Sequence, residues 1–409
     1  MKLAATAPMG GRIWTRPFLF LGLLALLAFG LLLFRFVYGL GAATNLNNGY
    51  PWGLWVVLDI HITAMIGCGG YVLAVVIYIM NKGEFHTLIR PAILASTFAY
   101  TLANLAAWID IGRWWNFYQI ALPWNINLNS VMFEVAICMA LYTLVLWIEL
   151  VPPALERLNK PRLRQAFFKS LYVIIPLGIL LPTMHQSGLG SLIIAAGTKI
   201  SPLWQSPWIG FLFLTTAITT GFAIVVFEGM LTVMGLGRRL ELYLYRRLMK
   251  VLRWFLLFYV LFRFGELWYR GALGAVVTET TARSTMFWIE NTLFVIPLVI
   301  LFHPGWRKHA RPLFLTAMCL ILGAALLRFN ALIIGYTPSA GYVYFPSVIE
   351  LLVSIGLLAI EMVGFIYIVK RFPILPPRTH TVAPGASAVR RGLAAGLPTI
   401  VHTNTHTNI

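Results

Sequence analysis

The chain has 409 residues, of which 59% are hydrophobic and 11% charged, and its mean hydropathy is +0.81. These values predict an integral membrane protein. The excess of 31 Lys and Arg over 13 Asp and Glu would suggest nucleic-acid binding in a soluble protein. Here the basic residues lie in short segments between apolar runs and form no face on a soluble domain, which argues against nucleic acid as a partner.

About ten apolar runs are long enough to cross a bilayer as helices, so the sequence predicts an all-α multi-pass membrane protein. The runs are residues 17–40, 53–80, 91–111, 130–151, 168–186, 208–234, 251–272, 284–303, 312–334 and 346–370. The N-terminal sequence is basic and precedes a long apolar run. Because a cleaved signal peptide has a shorter apolar region and a small-residue cleavage site, we expect an uncleaved anchor.

The basic residues predict the orientation of the chain. They are concentrated at both ends and in the segments after the second, fourth, sixth and eighth runs. The alternate loops carry only Arg113, Lys199, Arg270 and Arg283. Since cytoplasmic loops carry the excess of Lys and Arg, both termini are predicted to be cytoplasmic. The predicted domains are an N-terminus at 1–16, a transmembrane domain at 17–370 and a mostly disordered tail at 371–409.

Candidate metal ligands are few. Cys68, Cys138 and Cys319 each lie inside an apolar run without CxxC spacing, so this chain can build no iron–sulfur or zinc site from them. Only His61 and His185 lie well inside predicted spans, whereas a transmembrane pair of haems needs four ligands at two depths. We therefore expect no haem, with a single outer haem between these two histidines as the alternative.

Ionisable residues inside the apolar runs are concentrated in the half predicted to face outward. The outer half contains Asp59, His61, Asp110, Glu134, His185, Arg263, Glu266, Glu290, Arg328 and Glu350. The acidic residues of the inner half are only Glu149, Glu228 and Glu361. Such residues are costly in a membrane and indicate function, although some could be helix-end residues or packing ion pairs.

This distribution predicts a polar cavity near the outer face, with a thinner series of protonatable groups towards the inner face. Such an arrangement suits a lipid-soluble molecule whose head group takes up protons. Arg263 and Glu266 are spaced i, i+3, which predicts a structural ion pair on one helix. Glu134, Glu228 and Glu361 have no obvious partner on their own helices, which favours a functional role.

Several motifs together resemble one known family. They are LNNGYPWGLW (46–55), IDIGRWWN (109–116), INLNSVMFE (126–134), LLPTMHQSGLGSLIIAAGTKISPLWQS (180–206), FEGM (227–230), LFRFGELWYR (261–270), MFWIE (286–290), GYVYFPS (341–347) and RFPILPP (371–377). The sequence resembles the membrane subunit of hydrogenase-2 type uptake nickel–iron hydrogenases, within the NrfD and polysulfide-reductase membrane-subunit family. The resemblance extends from the first loop to the last helix.

The resemblance implies a fold and an electron path. Such subunits have eight to ten helices, here ten, around two four-helix bundles, and they bind no haem despite a label of b-type cytochrome. Electrons arrive from a periplasmic ferredoxin-like iron–sulfur subunit, which the hydrogenase small and large subunits supply. They reach a quinone, typically menaquinone, at the periplasmic end of the bundle. The family's proton-transfer Tyr and Glu fall on Tyr100 and Glu134 here.

We therefore predict a quinone-reactive anchor subunit of a hydrogenase complex in the bacterial inner membrane, which does not itself act on hydrogen. The predicted quinone-binding residues are Asp59, His61, Asp110, Arg113, His185 and Glu290. The predicted proton-transfer residues are Tyr100, Glu134, Glu228 and Glu361.

Two alternatives stay open. Related subunits serve other quinone-linked oxidoreductases, so the electron donor is not fixed. A secondary transporter also has many spans, internal Pro and Gly, and buried charges. Transporters place their sites at mid-depth, however, and here the charges gather towards the outer end.

Overall fold

A computed structural model of the protein describes residues 6–236 and 241–375. Most of the tail predicted to be disordered, from residue 376 onward, lies outside the described residues. Within those residues the backbone is helical apart from loops and two isolated β-bridges, which confirms the predicted all-α class.

The described part of the chain contains ten long helices, numbered in chain order. They are α1 (Arg16–Tyr38), α2 (Trp55–Ile79), α3 (Gly83–Asp110), α4 (Val131–Glu149), α5 (Pro161–Ile194), α6 (Ile209–Leu236), α7 (Leu242–Tyr269), α8 (Thr281–Phe302), α9 (Ala310–Ile334) and α10 (Val348–Arg371). Shorter helical turns lie in the loops, the longest being the 3₁₀ segment Trp114–Ala121 and the helix Val151–Arg157.

Nine of these helices are long and apolar enough to cross a membrane. The exception among the described residues is α7, whose inner half contains several basic residues. At 28 residues it is about 42 Å long, which is enough to span a hydrocarbon core. All ten helices are therefore long enough to be the predicted spans, and nine of them are also apolar enough.

The helices form two four-helix bundles with a flanking pair. Helices α2 to α5 contact one another in the first bundle, and α6 to α9 do so in the second. Helices α2 and α5 meet α6 and α9 at the joint between the bundles, while α1 pairs with α10 and α10 packs on α3. This is the arrangement that the family resemblance implied.

Helix α2 is irregular where it carries its polar residues. It begins with a π-helical segment, Trp55–Ile62, breaks at Gly67 and Cys68, and ends in a second π segment, Val75–Ile79. Helix α9 also ends in a π segment, Asn330–Ile334. Since π-helical segments are rare and frequent at functional sites, these segments direct attention to the space between α2 and α9.

Both ends of the described chain lie at the same end of the molecule. Ala7 forms a β-bridge with Leu375, and the N–H of Met9 donates to the carbonyl of Val369. Ten helices that each cross the membrane once bring the two ends of the chain to the same side. That this end faces the cytoplasm stays a prediction from the basic residues. We call it the inner end and the opposite one the outer end.

We expect Gly221→Ala to destabilise the joint between the bundles. A Cβ at Gly221 on α6 would lie 2.4 Å from Cγ2 of Val72 and 2.7 Å from the carbonyl oxygen of Cys68, both on α2. Such overpacking costs about 1–3 kcal/mol. The control is Gly265→Ala on α7, where nothing lies within 4 Å. In detergent, only Gly221→Ala should lower the apparent Tm by several degrees; equal Tm values for both variants would contradict this packing.

Candidate functional site

The central cluster lies where the two bundles meet and consists of Cys68, Tyr100, His185, Gln186 and Arg328, all fully buried. The Tyr100 hydroxyl lies 2.8 Å from Nε2 of His185 and 3.5 Å from the Cys68 sulfur. The amide Nε2 of Gln186 donates to the same hydroxyl at 3.1 Å. In the His185 tautomer that carries its proton on Nδ1, the hydroxyl donates its own proton to Nε2.

Local backbone features allow these contacts. A Cβ at Gly67 would lie 2.7 Å from the Tyr100 ring, so the break in α2 leaves the space that this ring fills. Helix α5 extends to Ile194, nine residues beyond His185, whereas the predicted span ended at residue 186. His185 therefore lies about 13 Å from the outer end of its helix rather than at the end itself.

Arg328 is the charged member of the central cluster. Its guanidinium donates to Thr216, to the carbonyls of Ala324 and Phe213, and to Oε1 of Gln186, at 3.1–3.3 Å. It also lies 4.7 Å from the centre of the Phe213 ring. Among the described residues, no carboxylate lies within 4.0 Å of it. Its positive charge is thus held by neutral acceptors and can stabilise a negative charge that develops nearby.

His61 packs against the same core from the π segment of α2. Its ring meets the Phe213 ring edge-on at 6.1 Å, and it interacts electrostatically with Arg328. In the described structure its buried Nδ1 has no hydrogen-bond partner. Nδ1 of His185 has the carbonyl of Leu181 nearby but forms no hydrogen bond of good geometry. Two buried imidazole nitrogens are therefore available to a ligand.

A second group, the outer cluster, brings together Asp59, Asp110 and Glu350 near the outer ends of α2, α3 and α10. Asp59 accepts from the Ser354 hydroxyl at 2.5 Å and interacts electrostatically with Asp110. Asp110 in turn interacts with Glu350 and with Arg35. Asp59 thus faces α10, although it is only two residues from His61.

Hydrogen bonds within the outer cluster fix loops and helix ends. Arg35 is fully buried and donates to the carbonyls of Ile109 and Ile111 at 2.7 Å each. Glu350 accepts from the Tyr344 hydroxyl at 2.5 Å. Burial and this bond to Glu350 raise the pKa of Tyr344 far above its usual value, so the hydroxyl stays protonated and donates.

A third group is an ion-pair network in the second bundle. Arg263 lies 2.7 Å from Glu266 and 3.9 Å from Glu290, and Arg270 lies 2.6 Å from Glu266. Glu290 also accepts from Trp204 and Asn330 at 2.9 and 2.8 Å. The network contains both members of the predicted i, i+3 pair and places Glu290 among them.

A cavity of about 700 Å³ opens beside this network at the outer ends of α5, α6 and α7. Its wall includes Ile193, Trp204, Ser206 and Arg270. Ile193 follows His185 by eight residues, so the cavity lies about 12 Å outward along α5. Arg270 donates to the backbone and to Glu266, and Ser206 also donates to Glu266. With these donors occupied, the wall suits an apolar chain better than a polar head group.

The predicted proton-transfer glutamates occupy three different places. Glu134 is half-buried in the first turn of α4, where Val135 packs on Gly188 of α5, one turn outward from His185. Glu228 on α6 and Glu361 on α10 lie in the inner half and interact electrostatically with each other.

The structure thus separates the six predicted quinone-binding residues. His185 belongs to the central cluster, and His61 packs beside it against Phe213 and near Arg328. Asp59 and Asp110 belong to the outer cluster, and Glu290 belongs to the ion-pair network. Arg113 is exposed on the loop after α3. Sequence reasoning did not identify two buried partners, Gln186 and Arg35. Each is a polar residue inside an apolar run, which is the signal that had identified His185.

Comparisons with known proteins agree with this fold. Residues 42–340 match the sequence profile of the family described as "Polysulphide reductase, NrfD". The chain is 43% identical over 373 residues to the "Probable Ni/Fe-hydrogenase 2 b-type cytochrome subunit" of Escherichia coli (strain K12), covering 90% of this chain and 95% of that protein. It is 29% identical over 374 residues to "Menaquinone reductase, integral membrane subunit" of Nitratidesulfovibrio vulgaris (strain Hildenborough), covering 83% of this chain and 86% of that protein.

The chain is a multi-pass bacterial inner-membrane protein, as predicted.

The expectation of no haem is contradicted by the E. coli relative, because the name "b-type cytochrome subunit" implies haem. The buried histidines do not fit an axial pair as they are arranged here. Nε2 of His185 is bound to the Tyr100 hydroxyl, and the His185 ring packs against the rings of Tyr100 and Tyr142 at 5.2 and 5.9 Å. His61 packs edge-on against Phe213.

We expect Arg263→Leu to destabilise the protein strongly, because the buried Glu290 loses its basic partner and Glu266 keeps only Arg270. Removing one partner of a buried ion pair costs about 3–5 kcal/mol. The control is Arg247→Leu, which breaks a more exposed pair with Glu84 that is worth about 0–1 kcal/mol. The measurement is the apparent Tm and the yield of monodisperse protein in detergent. Similar losses in both variants would contradict a structural role for the network.

Proposed function

The chain belongs to the polysulphide reductase NrfD family, and we propose that it is the quinone-reactive membrane subunit of a hydrogen-oxidising complex. Two relatives support this proposal: one is named as a subunit of Ni/Fe-hydrogenase 2 and the other as a subunit of menaquinone reductase. Hydrogen is oxidised on partner subunits, and an iron–sulfur partner at the periplasmic face passes two electrons to this chain's quinone, with menaquinone as the expected type.

The observation that carries the proposal is two buried imidazole nitrogens without hydrogen-bond partners, Nδ1 of His185 in the central cluster and Nδ1 of His61 beside it. In the His185 tautomer that accepts the Tyr100 proton at Nε2, Nδ1 of that ring is an N–H donor with no partner of good geometry. Nδ1 of His61 is the second free nitrogen. A buried nitrogen without a partner gains a hydrogen bond when a ligand binds, and an N–H at such a position suits the carbonyl oxygen of a quinone.

The same cluster can supply protons and offset charge. His185 gives its Nδ1 proton to the quinone oxygen and recovers one at Nε2 from Tyr100, which acts as a relay. Arg328, bound only to neutral acceptors, stabilises the negative charge that electrons place on that oxygen. Two electrons from the partner and two protons through this chain convert one quinone to one quinol.

The depth of the cluster suits a ligand that enters from the outer half of the membrane. Arg328 lies about 9 Å and Tyr100 about 15 Å from the outer ends of their helices. In a hydrocarbon core that is about 30 Å thick, Arg328 therefore lies in the outer half and Tyr100 lies near the middle. We propose that the cavity at Ile193 and Arg270 receives the apolar tail, while the head group reaches His61 and His185.

The remaining predicted site residues stay predictions. Glu134 lies at the level of the head group and is proposed to exchange protons with it. Glu228 and Glu361 are proposed proton carriers in the inner half. The geometry of Asp59, Asp110 and Glu290 supports a structural role more than contact with a head group. Arg113 is exposed on a loop, which also argues against such contact.

A second candidate is the membrane subunit of a different quinone-linked oxidoreductase, which the menaquinone reductase relative favours. The two candidates share the quinone site and differ in the electron donor. Purification of the tagged chain in mild detergent separates them, because hydrogenase subunits should copurify only in the first case.

We expect Glu134→Gln to abolish hydrogen-dependent menaquinone reduction while dye-linked hydrogenase activity is unchanged. The substitution removes a proton-accepting carboxylate at the level of His185 and preserves side-chain shape. The control is Glu279→Gln, an outer acid bound to Ser201 and Arg283 at the surface. Menaquinone reduction at the wild-type rate in Glu134→Gln would exclude the proposed proton role.

We expect His185→Ala to raise the KM for menaquinone at least tenfold, because the head group loses a buried hydrogen-bond donor. Asp59→Asn, which changes the outer cluster, serves as the comparison and should alter KM less. Steady-state kinetics with a series of quinone concentrations provides the measurement. An unchanged KM in His185→Ala would remove this residue from the site.

A further inference from the structure

Glu149, at the inner end of α4, is a carboxylate that the proposed function has not used. It is half-buried, and a Cβ at Gly178 of α5 would lie only 3.2 Å from its Oε1. Among the described residues, no Lys, Arg or His forms an ion pair with it. Since a negative charge is unfavourable at the C-terminus of a helix, capping does not explain an acid at this position.

Tyr142 lies between this carboxylate and the central cluster. It precedes Glu149 by seven residues, which places both on one face of α4, about 10.5 Å apart along the axis. Tyr142 is buried and interacts electrostatically with Glu149. Its ring lies 4.6 Å from the Tyr100 ring and 5.9 Å from the His185 ring.

A pair of hydroxyl groups lies alongside Tyr142. The hydroxyls of Tyr71 on α2 and Thr183 on α5 are 3.0 Å apart. Thr183 lies five residues outward from Gly178 and two residues before His185, so the pair occupies the depth between Glu149 and the central cluster. Tyr71 also interacts electrostatically with Tyr142. All these groups carry exchangeable protons.

The inner end of this series reaches the surface. Tyr78, in the second π segment of α2, is 44% exposed and interacts electrostatically with Glu149. Its ring lies 5.8 Å from that of His86, at the start of α3. Glu149 is therefore placed between an exposed tyrosine and the buried interior of the first bundle. Glu228 and Glu361, by contrast, lie on α6 and α10, outside that bundle.

We propose that Glu149 takes up protons from the cytoplasmic side and that Tyr142, with the Tyr71–Thr183 pair, passes them to Tyr100 and His185. This inference rests on the proposed function and identifies where its protons come from. Each quinone reduced receives two electrons from the partner subunits and two protons through this series. The two protons released from hydrogen remain on the other side, so turnover moves charge across the membrane.

The test uses the complete complex, purified with its partner subunits and reconstituted into liposomes that contain menaquinone-4 and an internal pH dye. A membrane-impermeant inhibitor of hydrogen oxidation stops only those complexes whose outer face points out of the liposome. The difference between the signals without and with this inhibitor therefore reports on that orientation alone. Hydrogen should make the lumen alkaline in proportion to quinone reduced, at two protons per quinone. Glu149→Gln should lower both rates at least tenfold, and Glu149→Asp should restore part of them.

The control is Glu84→Gln, an inner acid whose pair with Arg247 lies at the surface, and its rates should equal those of the wild type. Tyr142→Phe provides a second variant, which should slow luminal alkalinisation without loss of dye-linked activity. Lumen alkalinisation at the wild-type rate in Glu149→Gln would overturn the inference. So would a wild-type complex that reduces quinone without changing luminal pH. A wild-type complex that reduces no quinone would overturn the proposed function itself.

Discussion

A charge in the hydrocarbon core must find its partners within the protein, and three buried arginines show how this constraint determines the helix packing. Arg35 joins α1 to the end of α3 through two backbone carbonyls. Arg263 joins α7 to α8 through Glu290 and to the loop before α6. Arg328 joins α9 to α5 and α6. Each contact is made across helices, so loss of a partner affects the assembly of the bundles and not one helix alone.

Arg328 also connects the packing to the proposed chemistry. Its bonds to Gln186 and the Phe213 carbonyl hold α5 and α6 together, and Gln186 in turn orients the Tyr100 hydroxyl towards His185. The same contacts that satisfy a buried charge therefore also hold the hydroxyl that binds Nε2 of His185. On the inner side, polar side chains are fewer and are arranged in series, which suits proton transfer better than binding.

The sequence predicted those features that depend on local pattern. The helices follow from the length of apolar runs, and the Arg263–Glu266 contact follows from i, i+3 spacing on one helix. The grouping of residues was less predictable, because it depends on tertiary packing: His61 faces Arg328, whereas Asp59 faces α10. The π-helical winding of α2 changes these directions from those of a regular helix. The expectation of no haem was wrong, because the E. coli relative is named a b-type cytochrome subunit.

The central claim is that a quinone head group binds between His61 and His185. Photoaffinity labelling of the purified complex with an azido-menaquinone, followed by peptide mass spectrometry, tests it most directly. The account predicts labelling within residues 55–66 or 181–189, with loss of the label when excess menaquinone is added. Displaceable labelling confined to residues 193–209 and 270–275 would place the head group in the cavity instead, and the absence of any displaceable label would contradict quinone binding by this chain.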